Sequence, residues 1–81
     1  MVAVQLFASL RPFADDRAEV EVEAKTVGEV LARLAEKHPG LAPRIEAGVS
    51  VAVDGRVIAS GLTEPVKPDS EVVIMERIKG G

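Results

Sequence analysis

The sequence predicts an α+β domain of two layers: one sheet of about five strands with one main helix packed on one face. Three observations predict it. Short runs of alternating Val, Ile and Leu recur along the chain, each bounded by turn residues. Only one stretch, opening at Thr26 and closing at Pro39-Gly40, carries a long apolar stripe at helical spacing. An Asp54-Gly55 pair sits between two of the alternating runs and marks a tight hairpin.

Val2–Ala8 opens the chain as a strand. Val2, Val4 and Leu6 alternate with Ala3, Gln5 and Phe7, and because even the second set is mostly apolar, both faces are expected to be covered. Leu10–Arg17, with Pro12 and Asp15-Asp16, reads as a loop. Glu19–Ala24 then alternates Val20, Val22 and Ala24 against Glu19, Glu21 and Glu23. That is a half-exposed strand antiparallel to the first, its glutamates forming a solvated face.

Thr26-Val27-Gly28-Glu29 matches a capping box, in which the hydroxyl accepts from the Glu29 N–H and the carboxylate reaches back. Val27, Val30, Leu31, Leu34 and Ala35 follow as one apolar stripe. His38 falls at the helix end and reads as an exposed residue with no Ser or Asp partner beside it in sequence. Leu41–Gly48 reads as irregular, with one short helical turn around Arg44-Ile45.

Val49, Val51 and Val53 form a third strand, Arg56–Ala59 returns from the hairpin, and Ser60–Lys67 is a polar connection. After the turn at Pro68-Asp69-Ser70, Glu71–Glu76 is the last strand. Its unbroken Val72-Val73-Ile74-Met75 run places it centrally, buried on both faces. Val4, Leu6, Val20, Val22, Val51 and Ile74 are the candidates to meet the helix stripe.

The chain of 81 residues makes one domain, residues 1–76, with residues 77–81 as a flexible tail. There are no cysteines, so disulfides, thiolate metal sites and a Cys nucleophile are all excluded. A net charge of −3 and the lack of Trp and Tyr argue against a nucleic-acid partner. No basic leader precedes an apolar run and no stretch is long enough to span a bilayer, so a cytoplasmic protein without a membrane partner is expected. Ser9, Ser50, Ser60 and Ser70 have no local His and acid partners, which leaves hydrolytic chemistry unsupported.

The remaining feature is the ending, Arg77-Ile78-Lys79-Gly80-Gly81. Two glycines without Cβ atoms make a thin arm that fits a narrow channel and ends in a carboxylate. Arg77 and Lys79 either steer that arm toward an acidic groove or serve solubility. Ile78 either caps the edge of the core or anchors in a partner's pocket.

With these elements in this order, the chain resembles the MoaD/ThiS family of ubiquitin-like, β-grasp sulfur carriers, and in length most resembles the small subunit of molybdopterin synthase. The resemblance is carried by Val4–Arg11, Thr26–Leu31, Val51–Gly55, Pro68–Val72 and Gly80-Gly81. It implies a mixed sheet and a carrier that is not itself an enzyme. An E1-like adenylating enzyme would use ATP to activate the Gly81 carboxylate, which then becomes a thiocarboxylate. Gly80, Lys79, Ile78 and Arg77 would thread into partner active sites. The chain would bind no cofactor or metal of its own, and the acceptor would be a partner such as the molybdopterin synthase large subunit. The approach Met75–Lys79 lacks the proline common in MoaD-type tails. Carriers serving thiamin, cysteine or tRNA thiolation therefore stay open, as does a ubiquitin-like modifier joined to lysines through Gly81. An interaction domain whose diglycine is incidental is the third possibility.

Overall fold

The computed structural model of the chain describes residues 1–58 and 63–76. Five strands form one sheet: β1 (Val2–Leu6), β2 (Glu19–Val22), β3 (Val49–Val53), β4 (Arg56–Ile58) and β5 (Glu71–Glu76). Helix α1 (Val27–Lys37) crosses one face and a short α2 (Ala42–Ala47) follows it. The spatial order is β2-β1-β5-β3-β4. β1 and β5 run parallel, whereas β1–β2, β3–β4 and β3–β5 are antiparallel, so the sheet is mixed.

The register explains the core. Val20, Val4, Val72 and Val53 lie in one row across four strands, and Leu6, Ile74, Val51 and Ile58 in the next. Residues opposite one another share a face, so these rows build a single apolar surface. Val27, Val30 and Leu34 of α1 are buried against it. All six sheet residues expected to meet the helix are buried.

Thr26 caps α1 as its sequence predicts: its Oγ1 accepts from the Glu29 N–H at 3.2 Å. The Glu29 carboxylate reaches back one residue further than the cap, accepting from the Lys25 N–H at 2.9 Å. The same corner is tied to the connection before β5, where Val27 N–H donates to Glu64 O and Val66 N–H to Lys25 O, both at 2.9 Å. Thr26→Ala is expected to lower the unfolding free energy by about 1 kcal/mol. This would show as an earlier urea midpoint with an unchanged slope.

At the β3–β4 turn, Asp54 has φ 51° and Gly55 φ 84°. Both lie in the left-handed region that a type I′ turn requires, and Asp54 Oδ1 also accepts from the Glu71 N–H at 2.9 Å. The hairpin is thereby fastened to the start of β5.

Four expectations are corrected. Among the described residues, β1 and β5 are central but covered on one face only: Gln5 is exposed, and Val73 and Met75 are partly buried. One main helix supplies one apolar layer, and nothing among the described residues lies over the other face. The segment expected to be a loop after β1 is a 3-10 helix, Ala8–Ala14, which buries Leu10 and Ala14. It tolerates Pro12 and closes through Asp15 and Asp16 at φ 55° and 59°. The region around Arg44-Ile45 is more ordered than expected, with a 3-10 turn at Pro39–Leu41 leading directly into α2. Leu41 closes the core there, and Gly40 lies so near the Ala8–Ala14 segment that a Cβ would sit 3.0 Å from Phe13 O. Finally, the His38 side chain is only 11% exposed, and its Nδ1 lies 3.5 Å from Asp15 Oδ2. The chain thus brings an aspartate to this histidine from a distant segment.

Candidate functional site

Sequence reasoning put the chemistry at Gly81, with Gly80, Lys79, Ile78 and Arg77 as the arm. All five lie outside the described residues, as do Ala59 at the expected end of β4 and Ser60–Leu62 of the connection. What the structure defines is the root of that arm and the surface beside it.

The root is β5, flanked by β1 and β3. Because β1 runs parallel to β5, their C-terminal ends lie at the same edge of the sheet. The Ala8–Ala14 segment therefore begins beside the point where β5 ends. Phe7 N–H donates to Ile74 O at 3.0 Å, and Arg11 Nε donates to Leu6 O at 3.1 Å. From the other side, Val49 stands opposite Glu76, which brings the end of α2 to the same edge. Arg44 Nη1 lies 3.4 Å from Glu76 Oε2, and its guanidinium stacks over the Phe13 ring at 4.3 Å from the centroid. The tail root thus emerges between two short helical segments that supply Arg11 and Arg44.

The sheet face opposite α1, over which none of the described residues lies, adjoins this edge. Val57, Ala52, Val73 and Gln5 form one row across it. Ser50 and Met75 form the next, toward the tail. Phe7 keeps an extended backbone (φ −63°, ψ 155°) and continues the alternation of β1 onto this face. Phe7 and Val57 are 52% and 67% exposed, among the few large apolar side chains left to solvent. They flank the partly buried Val73 and Met75, so an apolar strip runs across the face toward the root. Signals for this strip were present in the unbroken Val72–Met75 run, which a buried-on-both-faces reading hid.

Other candidate chemistry has structural explanations. Ser70 is buried, and its Oγ accepts from the Lys67 N–H at 2.9 Å, closing the turn before β5. Lys37 Nζ donates to Glu21 O at 2.7 Å, which occupies an edge carbonyl of β2. His38 and Asp15 line a shallow cleft of about 450 Å³ at the β2 edge together with Lys37 and Glu21. No group of three or more His, Cys, Asp or Glu among the described residues could hold a metal ion. Among those residues no helix is long and apolar enough to cross a membrane.

Comparison with solved structures places this architecture. Small archaeal modifier protein 1 (SAMP1) from Methanosarcina acetivorans is 29% identical, with a TM-score of 0.84 over 99% of this chain and 95% of that one. A chain of the BexX/CysO complex from Amycolatopsis orientalis is 24% identical, with a TM-score of 0.80 over the whole of both chains. A chain of the complex of subunits 1 and 2 of molybdopterin-converting factor from Helicobacter pylori is 19% identical, with a TM-score of 0.70 over 99% and 97%. At their lower identities the last two show the fold alone, which is the ubiquitin-like β-grasp. A search of curated protein sequences finds no match. The model of the ThiS family matches residues 4–81, from the first strand through the terminal diglycine. The chain therefore belongs to the ThiS family of small ubiquitin-like sulfur carriers and modifiers.

Proposed function

We propose that this chain carries sulfur on its C-terminal carboxylate. The observation that carries the reading is the family match, which runs through Gly80-Gly81 and not only over the folded part. A carboxylate is a poor electrophile at neutral pH, so it must first be activated. An E1-like enzyme supplies ATP, a Gly81 carboxylate oxygen attacks the α-phosphate, and pyrophosphate leaves. A sulfide then attacks the acyl carbon and AMP leaves, giving the thiocarboxylate. If the donor is a protein persulfide, an acyl disulfide forms first and a second thiol releases the thiocarboxylate. This chain contributes no catalytic side chain to either step. It supplies a rigid root at β5, an apolar strip by which the activating enzyme can grip it, and a reacting group free of side chains.

For the destination of the sulfur we propose molybdopterin synthesis, with this chain as the non-catalytic small subunit of a molybdopterin synthase. The support is its length and a fold shared with a chain of the Helicobacter pylori complex. The cytoplasm, where ATP-dependent activation takes place, is the compartment this requires. Carriers serving thiamin, cysteine or tRNA thiolation would differ only in the acceptor. A second reading, conjugation to protein lysines through Gly81, is favoured by the 29% identity to a protein named as a modifier.

The test is intact mass after incubation with the E1-like enzyme, ATP and a sulfur donor. The expected gain is the difference between one sulfur and one oxygen atom. An unchanged mass with every E1-like enzyme of the source organism would contradict the reading. Covalent adducts in cell extract, lost when Gly80-Gly81 is removed, would favour the modifier over the carrier.

A further inference from the structure

We infer that the outer edge of β2 is a docking site for an extended peptide that alternates apolar and basic residues and adds antiparallel to the sheet. The inference stands apart from the proposed function, since β1 separates β2 from the β5 root.

The β1–β2 ladder fixes which backbone groups are turned outward. Leu6 N–H donates to Ala18 O at 2.9 Å, so these two residues face each other as a hydrogen-bonded pair. Antiparallel pairs alternate between bonded and non-bonded. The register then makes Val20 with Val4, and Val22 with Val2, pairs of the bonded kind. The N–H and C=O groups of Glu19 and Glu21 therefore point away from β1. β2 stands last in the sheet order, and no described strand pairs with its outer side. Such a row of outward backbone groups is a template for another strand.

One of these groups carries a removable cover. Lys37 Nζ donates to Glu21 O at 2.7 Å. Lys37 ends α1 and is exposed, so its strongly hydrated ammonium returns to water when another donor takes the carbonyl. Beside the edge lies the shallow cleft of about 450 Å³, with Lys37, His38 and Asp15 around it and Val20 and the two glutamates along the strand. It gives room for a guest strand, whose backbone would lie about 4.8 Å from that of β2.

The two faces of β2 set the sequence of the guest. Val20 lies on the core face, where it heads the row that continues through Val4, Val72 and Val53. A guest residue on that side extends an apolar row. Glu19 and Glu21 are exposed on the other face, opposite Gln5 and Ala3. Guest residues paired with them place Cβ atoms about 5 Å away, where opposite charges attract and like charges repel. Those positions call for lysine or arginine. Arg17 also lines the cleft but precedes the strand, so the glutamates still decide the paired positions. The same charges disfavour a second copy of this chain: two β2 edges paired antiparallel would set Glu19 of one copy against Glu21 of the other. The net charge of −3 adds to that repulsion.

The experiment follows amide hydrogen exchange of the full chain by NMR, with a short blocked peptide of alternating lysine and valine as the probe. With about 1 mM free peptide, the Glu19 and Glu21 amides are expected to slow about twofold or more, the effect of half occupancy or better. Val20 and Val22, already bonded to β1, are expected to keep their rates. Lys37→Met removes the cover and is expected to raise affinity about three- to tenfold, the scale of one exposed hydrogen bond. A peptide N-methylated on its lysines loses the donors that face Glu19 and Glu21 and is expected not to bind, whereas methylation on its valines is tolerated. Unslowed Glu19 and Glu21 amides in the wild-type chain would overturn the inference. Equal binding of the lysine-methylated peptide would also overturn it, by showing charge attraction without strand addition. Equal binding of a peptide alternating glutamate and valine would overturn the assigned occupant. Slowing of the same amides with rising chain concentration, in the absence of peptide, would give the edge to a second copy instead. None of these outcomes touches the Gly81 chemistry, which the mass measurement tests separately.

Discussion

Removing Gly80 and Gly81 is expected to abolish thiocarboxylate formation entirely while leaving the thermal midpoint where it was. The two effects separate because the two jobs sit in different parts of the chain. Every buried hydrophobic residue of the described core lies between Val2 and Ile74. Stability comes from that apolar burial, so shortening the chain beyond it leaves the driving force intact. Activation, in contrast, needs a carboxylate that reaches an ATP-bound site down a narrow path. In the truncated chain the new terminal carboxylate belongs to Lys79, two residues short and bearing a long side chain. Gly81→Ala is a milder version and is expected to slow adenylation by tenfold or more, since a displacement of about 1 Å at a reacting atom can cost about 10²-fold. The check is a pyrophosphate-exchange rate beside a calorimetric scan. Loss of stability in either variant would mean that the tail belongs to the fold.

Ile74→Ala is expected to have the opposite signature, a large loss of stability at an unaltered terminus. Ile74 is 1% exposed and faces Leu6 on one side and Val51 on the other, at the middle of the central strand. Truncation there leaves a cavity walled by two sheet neighbours that cannot collapse without moving the ladder, and such changes cost about 2–5 kcal/mol. At roughly 0.05–0.15 kcal/mol per residue, a domain of this length holds only about 4–12 kcal/mol in total. Each kcal/mol lowers the midpoint by about 4–8 °C in a domain of this size. Val57→Ser on the open face, at 67% exposed, is the contrasting control and is expected to leave the midpoint unchanged. Urea titration followed by circular dichroism distinguishes them. Equal costs at the two positions would contradict the one-sided core.

The elements that sequence reasoning placed well are those whose signal is local. Thr26 and Glu29 announce α1 because a cap is a short-range hydrogen-bond pattern, and Asp54-Gly55 announces its hairpin because the turn demands left-handed backbone. The alternation of Val20 and Val22 against Glu19 and Glu21 announces β2 for the same reason, although the strand ends at Val22 and not at the expected Ala24. The misplaced features depend on what the rest of the chain brings near. An apolar run such as Val72–Met75 looks the same whether its second face meets a helix or a partner protein. Only the count of covering layers decides, and the described residues supply one. The Ala8–Ala14 helix was hidden by Pro12, a breaker of longer helices that a 3-10 segment accommodates. Leu10, Leu41 and Val66 close the core from segments without periodicity. Asp15 reaches His38, and Arg44 reaches Glu76, across 23 and 32 positions of sequence, distances over which no spacing rule operates. At the candidate site itself, the terminal diglycine stands in the sequence but lies outside the described residues, and the Arg44–Glu76 pair beside its root had no local signal.

The central claim is that the reacting group is the backbone carboxylate of Gly81. The most direct measurement compares the chain with a semisynthetic copy ending in a carboxamide, identical in every side chain, in pyrophosphate exchange with the E1-like enzyme. The carboxylate form is expected to exchange and the amide form to give none, since the neutral amide lacks the anionic oxygen that attacks the α-phosphate. Equal exchange by both forms would contradict the account.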